Sequence, residues 1–241
     1  MKLDIFDSYN IRARLSPSII LLGPIALTIF ICFEGLYNSE SSVVLMAILL
    51  AMTNYIPLLQ RRLSKRNSLA DNFAAKLLYF DNTEIDKISK RRYLKKLASI
   101  DDSFSSLLKP SNSSEYKECC ESAVSYLRNN TRDNHLVLEE NINYGFCKNM
   151  MIDKPIGIAI NISLAVFAFI YSLLSSEKIR EIPSRYWLSI TINFLFIAFW
   201  VFGVNKKTLE ESAKRYARTL IDAIDSLDND KEKKLPCVKE E

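Results

Sequence analysis

Charge is absent from four stretches of this chain: Leu15–Phe33, Ser41–Gln60, Pro155–Ser176 and Tyr186–Asn205 contain no Asp, Glu, Lys, Arg or His. Each is about as long as the roughly 20 residues a helix needs to cross the hydrocarbon core of a bilayer. A soluble helix of that length carries a polar stripe on its outer side, and these runs do not. A soluble bundle with four buried helices is therefore the weaker reading. The averages conceal the segregation, because a quarter of all 241 residues are charged and the mean hydropathy is only +0.02.

Lysine and arginine near the span ends set the expected orientation. Arg12 and Arg14 precede the first run; Arg61, Arg62, Lys65 and Arg66 follow the second. Lys148 and Lys154 precede the third, and Lys206, Lys207, Lys214, Arg215 and Arg218 follow the fourth. The link EGLYNSES has no basic residue, and only SSEKIREIPSR weakens the pattern. Both termini and the middle segment are thus expected in the cytoplasm. The leader MKLDIFDSYNIRARL carries Asp4 and Asp7, and no A-x-A-like site follows Phe33, so the first run is expected to stay in the chain.

The middle reads as helices. Leu63, Leu69, Phe73 and Leu77 fall at near-helical spacing after the second span, which predicts that this span continues into the cytoplasm. NTEIDKISKRRYLKKLASI offers Asn82 or Thr83 as a helix cap, with Ile85, Ile88, Tyr93 and Leu97 on one face. LLKPSNSSE breaks the pattern. The next helix has Tyr116, Cys120, Ala123, Val124 and Leu127 as its inner stripe. In the tail, Leu209, Ala213, Tyr216, Leu220, Ile224 and Leu227 form a one-sided stripe suited to packing on the insert or another subunit. A place on the membrane surface is disfavoured, because Glu210, Glu211, Asp222 and Asp225 share the polar face and anionic lipid repels them. The end, DNDKEKKLPCVKEE, has the composition of a disordered tail. The expected fold is an all-α integral membrane protein. It has a leader and hairpin over 1–60, a helical cytoplasmic insert over 61–154, a second hairpin over 155–205, and an amphipathic helix with a charged tail over 206–241.

No catalytic constellation is present. There is no Gly-rich phosphate loop, G-x-S-x-G, H-E-x-x-H or metal-spaced acid cluster. The only histidine, His135, is expected at the exposed start of a helix, and it leaves little room for histidine-based general-base chemistry. Cys32, Cys119, Cys120, Cys147 and Cys237 show no zinc spacing and no disulfide framework. The chain reads as a non-enzyme without metal or cofactor. The basic runs RRLSKR and KRRYLKKL suit nucleic acid or anionic lipid, although inward-facing segments are basic in any case.

Two sets of residues stand out. Tyr144, Gly145, Phe146 and Lys148, within Glu139–Lys154, sit just before the third uncharged run. They read as a coupling joint between insert and membrane, or as an interfacial anchor. In this reading the segment carries little apolar core, Gly145 provides a turn or a close approach, and Pro155 occupies the first helical turn. Within the spans, none of which holds an ionisable group, the polar residues include Asn54, Asn161 and Asn193. A hydrogen bond between Asn54 and Asn161, or between copies in a homo-oligomer, is one expectation; self-satisfaction against the local backbone is the other. Gly23–Pro24 is expected to bend the first span.

YNIRARLSPSIILLGPIAL (Tyr9–Leu27) and NTRDNHLVLEENINYGFCKNMMIDKPIGI (Asn130–Ile158), together about a fifth of the chain, resemble small multi-span bacterial proteins of anti-phage defence loci. Among these they are similar to the transmembrane effectors encoded beside retron reverse transcriptases. The resemblance implies an antiviral, toxin-like effector of the bacterial inner membrane. A reverse transcriptase–nucleic acid complex, or another cytoplasmic regulator, would hold it silent, and its release would cause abortive infection. The alternative is a non-enzymatic anchor or scaffold for a cytoplasmic complex. Reporter fusions after Asn38, Leu107 and Val204 test the topology: activity outside the cell is expected only at Asn38, and an externally active reporter at Leu107 contradicts it.

Overall fold

The computed structural model describes residues 9–33, 40–63, 69–109, 111–175 and 182–227. Parts of the links within both hairpins, residues 64–68, on which the expected continuation of the second span falls, and the charged end lie outside these. Among the described residues the chain is all-helical. The helices are α1 (Ser16–Cys32), α2 (Glu40–Leu63), α3 (Leu69–Leu78), α4 (Lys87–Ile100), α5 (Ser114–Asn130), α6 (His135–Leu174), α7 (Ser184–Ala198) and α8 (Lys206–Asp222). π-helical turns over Asn10–Leu15 and Phe199–Gly203 adjoin α1 and α7. Four helices are long and apolar enough to cross a membrane: Asn10–Cys32, Ser42–Leu63, His135–Leu174 and Ser184–Gly203.

The chain divides into two compact units, Met1–Lys65 with Ile142–Leu209 and Arg66–Asn141 with Glu210–Glu241. In the first, the membrane unit, one buried cluster joins Leu21 and Leu22 of α1, Ile56 of α2, Met150 of α6, and Trp200 and Val204 after α7. A second joins Cys32 at the end of α1, Ala168 late in α6, and Ile182 and Tyr186 at the start of α7. These two levels make α1 and α6 run one way and α7 the other, with α2 ending at the first level. That is the arrangement of two antiparallel hairpins. Large apolar side chains such as Val44, Leu50, Phe169, Leu195 and Phe202 remain exposed on the outside, as a lipid-facing surface requires.

In the second, polar unit, the stripes of α5 and α8 are core, whereas the expected α4 face holds only in part: Tyr93 and Leu97 are buried, Ile85 is buried but precedes the helix, and Ile88 is 82% exposed. Tyr116, Cys120, Ala123, Val124 and Leu127 are all buried, as are Ala213, Tyr216, Leu220 and Ile224. The tail packs on the insert: Arg92 pairs with Asp225 through two bonds of 3.1 and 2.6 Å, and Tyr93 donates to Asp222 at 3.0 Å. Burial pushes the Cys120 thiol up to about 12, so it is no ready thiolate. A 3₁₀ segment, Asp102–Leu108, follows α4 and buries Phe104 and Leu107.

Two expectations about helix starts need correction. The cap of α4 is Asp86, whose Oδ1 accepts from Ile88 and Ser89 backbone N–H groups at 3.0 and 2.8 Å. Asn82 and Thr83 lie in the turn before it. Asn82 is committed elsewhere: its side chain accepts from Glu84 and its carbonyl from the Lys90 ammonium. Likewise Pro155 does not open a helix. It lies inside α6, which starts at His135, where Asn134 accepts from Leu136 and Val137 N–H groups.

Candidate functional site: the inner face of α6

Because α6 begins at His135, the segment Glu139–Lys154 is continuous helix and not a joint with a turn. From within this segment onward, every fourth residue of α6 is small or polar: Gly145, Asn149, Asp153, Gly157 and Asn161. A four-residue step advances by slightly more than one turn, so these five form a single slowly winding stripe. All but the half-buried Asn149 are buried.

At Gly145 the close-approach alternative holds. No described glycine has positive φ, and a Cβ added there would lie 3.0 Å from both the Ala13 Cβ and the Tyr9 hydroxyl. Its neighbours are core residues, which corrects the expectation that they carry little of it. Tyr144 is 5% exposed, and Phe146 packs on the first apolar cluster. Lys148 is half-buried. Loss of activity on truncating Tyr144 or Phe146 would therefore not separate signalling from folding.

One turn on, Asn149 donates to the Ala13 carbonyl at 2.7 Å. Ala13 lies in the first π-helical turn, whose wider winding shifts carbonyls off the ordinary helical ladder. Asp153 is 1% exposed, and its Oδ2 accepts from the Gln60 amide of α2 at 2.6 Å. This bond ties the first hairpin to the second. Lys154 turns the other way and donates to the carbonyls of Val201 and Val204 at 3.1 and 2.7 Å, capping the helix end that follows α7. The α6 helix thus brings an acid and a base into its buried length, whereas the sequence reading placed no ionisable group in any span.

Gly157 is the tightest contact. The Trp200 indole lies on its backbone, and an added Cβ would overlap the ring, 2.6 Å from Nε1. Asn161, fully buried, donates to the Gly157 carbonyl at 2.7 Å. In α7, Asn193 donates to Thr28 Oγ1 of α1 at 2.8 Å and to the Ser189 carbonyl at 2.9 Å. Asn54 is exposed on α2 and donates to Leu50 of its own helix at 3.0 Å. The expected Asn54–Asn161 bond within the chain is therefore absent; each of these amides bonds its own backbone, and of the three asparagines named from the sequence Asn193 is the one that bonds another helix. Among the described residues, the buried atoms Gln60 Oε1, Asn161 Oδ1, Asn193 Oδ1 and Trp200 Nε1 find no hydrogen-bond partner.

No protein-family model, curated protein or solved structure matches the chain. The α6 stripe thus stands on its own geometry. Its sequence signature is G-x₃-N-x₃-D-x₃-G-x₃-N, which runs across the charged Asp153 and Lys154 that bound the uncharged run from Pro155.

The two glycines make different forecasts. Gly157→Ala should lower the melting temperature of the detergent-solubilised protein, at a cost of about 1–3 kcal/mol typical of overpacking. Adding Trp200→Leu should restore part of it, and Gly145→Ala should cost less. Unchanged melting for Gly157→Ala would contradict the Trp200 contact.

Proposed function

We propose that this protein is a membrane effector of an anti-phage, abortive-infection system, with the polar unit under the control of a cytoplasmic partner and the membrane unit perturbing the inner membrane on release. The observation that carries the mechanism is the α6 stripe. Four helices with lipid-compatible exteriors enclose a row of amides, a carboxyl and an indole N–H, several of them unpartnered. Unpaired buried polar groups each cost about 1–3 kcal/mol, and lipid offers them no alternative partner. Separation of the hairpins would let water reach that row, and hydration of it favours the open state. A closed, silent form and a leaky, hydrated form are then two packings of the same helices.

The defence context rests on the resemblance of Tyr9–Leu27 and Asn130–Ile158 to retron-associated effectors. Under it the regulator is a reverse transcriptase–nucleic acid complex or another cytoplasmic factor, and the compartment is the bacterial inner membrane with both termini inside. A homo-oligomer fits the exposed Asn54 on the apolar outer face of α2, where an amide from a second copy would satisfy it.

Overexpression without a partner should depolarise the inner membrane and arrest growth. Asn161→Leu should relieve both while the protein remains inserted and abundant, because it removes a polar group from the stripe at similar volume. Unchanged membrane potential at verified high expression, or full toxicity of Asn161→Leu, would contradict this reading; the first result would favour a passive anchor for a cytoplasmic complex.

A further inference from the structure

The polar unit treats its cations in two ways. Arg92 pairs with Asp225, Arg128 with Asp71, Arg215 with Glu140 and Arg218 with Asp222. Lys87, Arg91 and Lys95 of α4, by contrast, make no ion pair or side-chain hydrogen bond among the described residues. They stand at i, i+4 and i+8 and so share one side of the helix. Like charges at that spacing destabilise a helix by about 0.2–0.5 kcal/mol per pair. A free-standing helix has no reason to align them.

All three border a groove of about 560 Å³, within the roughly 300–1,000 Å³ of small-molecule sites. Its other wall is apolar. Phe80 and Leu108 line it while 58% and 51% exposed, an exposure that Ile88 and Leu136 of the same unit share outside the groove. Lys90 also lines the groove. Its ammonium is held by the neutral carbonyls of Tyr79 and Asn82 at 2.8 and 2.6 Å, with Asp81 near enough to favour the charged form. The two carbonyls take two of its three N–H donors, Asp81 offsets part of its charge, and burial holds its pKa below the ordinary lysine range.

We propose that this groove binds a phosphorylated small ligand with an apolar or aromatic body of about mononucleotide size. Lys87, Arg91 and Lys95 take the phosphate oxygens by charge-assisted hydrogen bonds, and Phe80 and Leu108 cover the body. Lys90 fixes the loop before α4 and adds positive potential from below. The chemistry is common to a soluble nucleotide and to an anionic lipid headgroup with its first acyl carbons. The site stands apart from the effector reading, since a scaffold equally well carries it.

The test uses the full-length protein in phosphatidylcholine nanodiscs, with binding measured directly and no activity involved. The probes are ATP, inorganic pyrophosphate and monomeric dihexanoyl phosphatidylglycerol. Saturable binding is expected for ATP or for the short-chain lipid, and the better ligand identifies the soluble or the membrane source. Arg91→Gln and Lys95→Gln should each weaken it about tenfold, the size of one lost charge-assisted bond. Phe80→Ala should weaken ATP or lipid while leaving pyrophosphate unchanged, and Lys117→Gln, an exposed cation outside the groove, should change nothing. The substituted cations are exposed, so their loss should leave the fold intact, as melting of each variant will verify. Absence of saturable binding for both ATP and the lipid, or affinities unchanged in Arg91→Gln and Lys95→Gln, would overturn the proposal.

Discussion

The membrane unit depends on how it satisfies polar groups where water is excluded. The Gln60–Asp153 bond, 2.6 Å long between two buried side chains, is the point at which that constraint is most severe. Breaking a buried polar pair on one side leaves the other group with its full desolvation penalty. Gln60 comes from the first hairpin and Asp153 from the second. The same bond that solves a local problem therefore also fixes which hairpin faces which. Its neighbours on α6 follow suit: Asn149, one turn earlier, takes a carbonyl of the first π-helical turn, and Lys154, turned the other way, takes two carbonyls at the second.

Close packing makes those bonds attainable. Helices in lipid gain little from apolar burial against one another and associate through tight packing and hydrogen bonds. The absence of side chains at Gly145 and Gly157 lets Tyr9, Ala13 and Trp200 approach the α6 backbone. At the other end, Ala168 occupies the same role beside Cys32 and Tyr186. The groups left without partners, Asn161 Oδ1 and Asn193 Oδ1 among them, are the cost of a polar interior.

Much of this architecture was legible in the sequence. The four membrane candidates follow from absent charge alone, and the buried stripes of α5 and α8 follow from helical period, since burial repeats every three or four residues. The α4 cap was not legible, because Asn82, Thr83 and Asp86 all qualify locally. The choice is tertiary: the Lys90 ammonium holds the Tyr79 and Asn82 carbonyls in a turn, leaving Asp86 to cap. At Pro155 the local rule misled. A proline suits a first helical turn, but membrane helices carry prolines internally where neighbours satisfy the freed carbonyl. Cutting the helix there moved Asp153 and Lys154 outside the span and hid the five-residue stripe. The Gly157–Trp200 contact joins distant segments, and no local pattern announces it. Of the candidate residues named from sequence, Tyr144, Gly145, Asn161 and Asn193 are buried, while Asn54 is exposed.

A double-mutant cycle across Gln60 and Asp153 tests the central claim most directly. The protein, Gln60→Leu, Asp153→Leu and the double variant would be unfolded in mixed micelles by increasing SDS. The account predicts that each single change destabilises by leaving one polar group buried alone. The double change should recover much of the loss, giving a coupling energy of about 1–3 kcal/mol, the range for hydrogen bonds to charged or buried groups. Single effects that simply add, within about 0.5 kcal/mol, would mean that this bond does not join the hairpins.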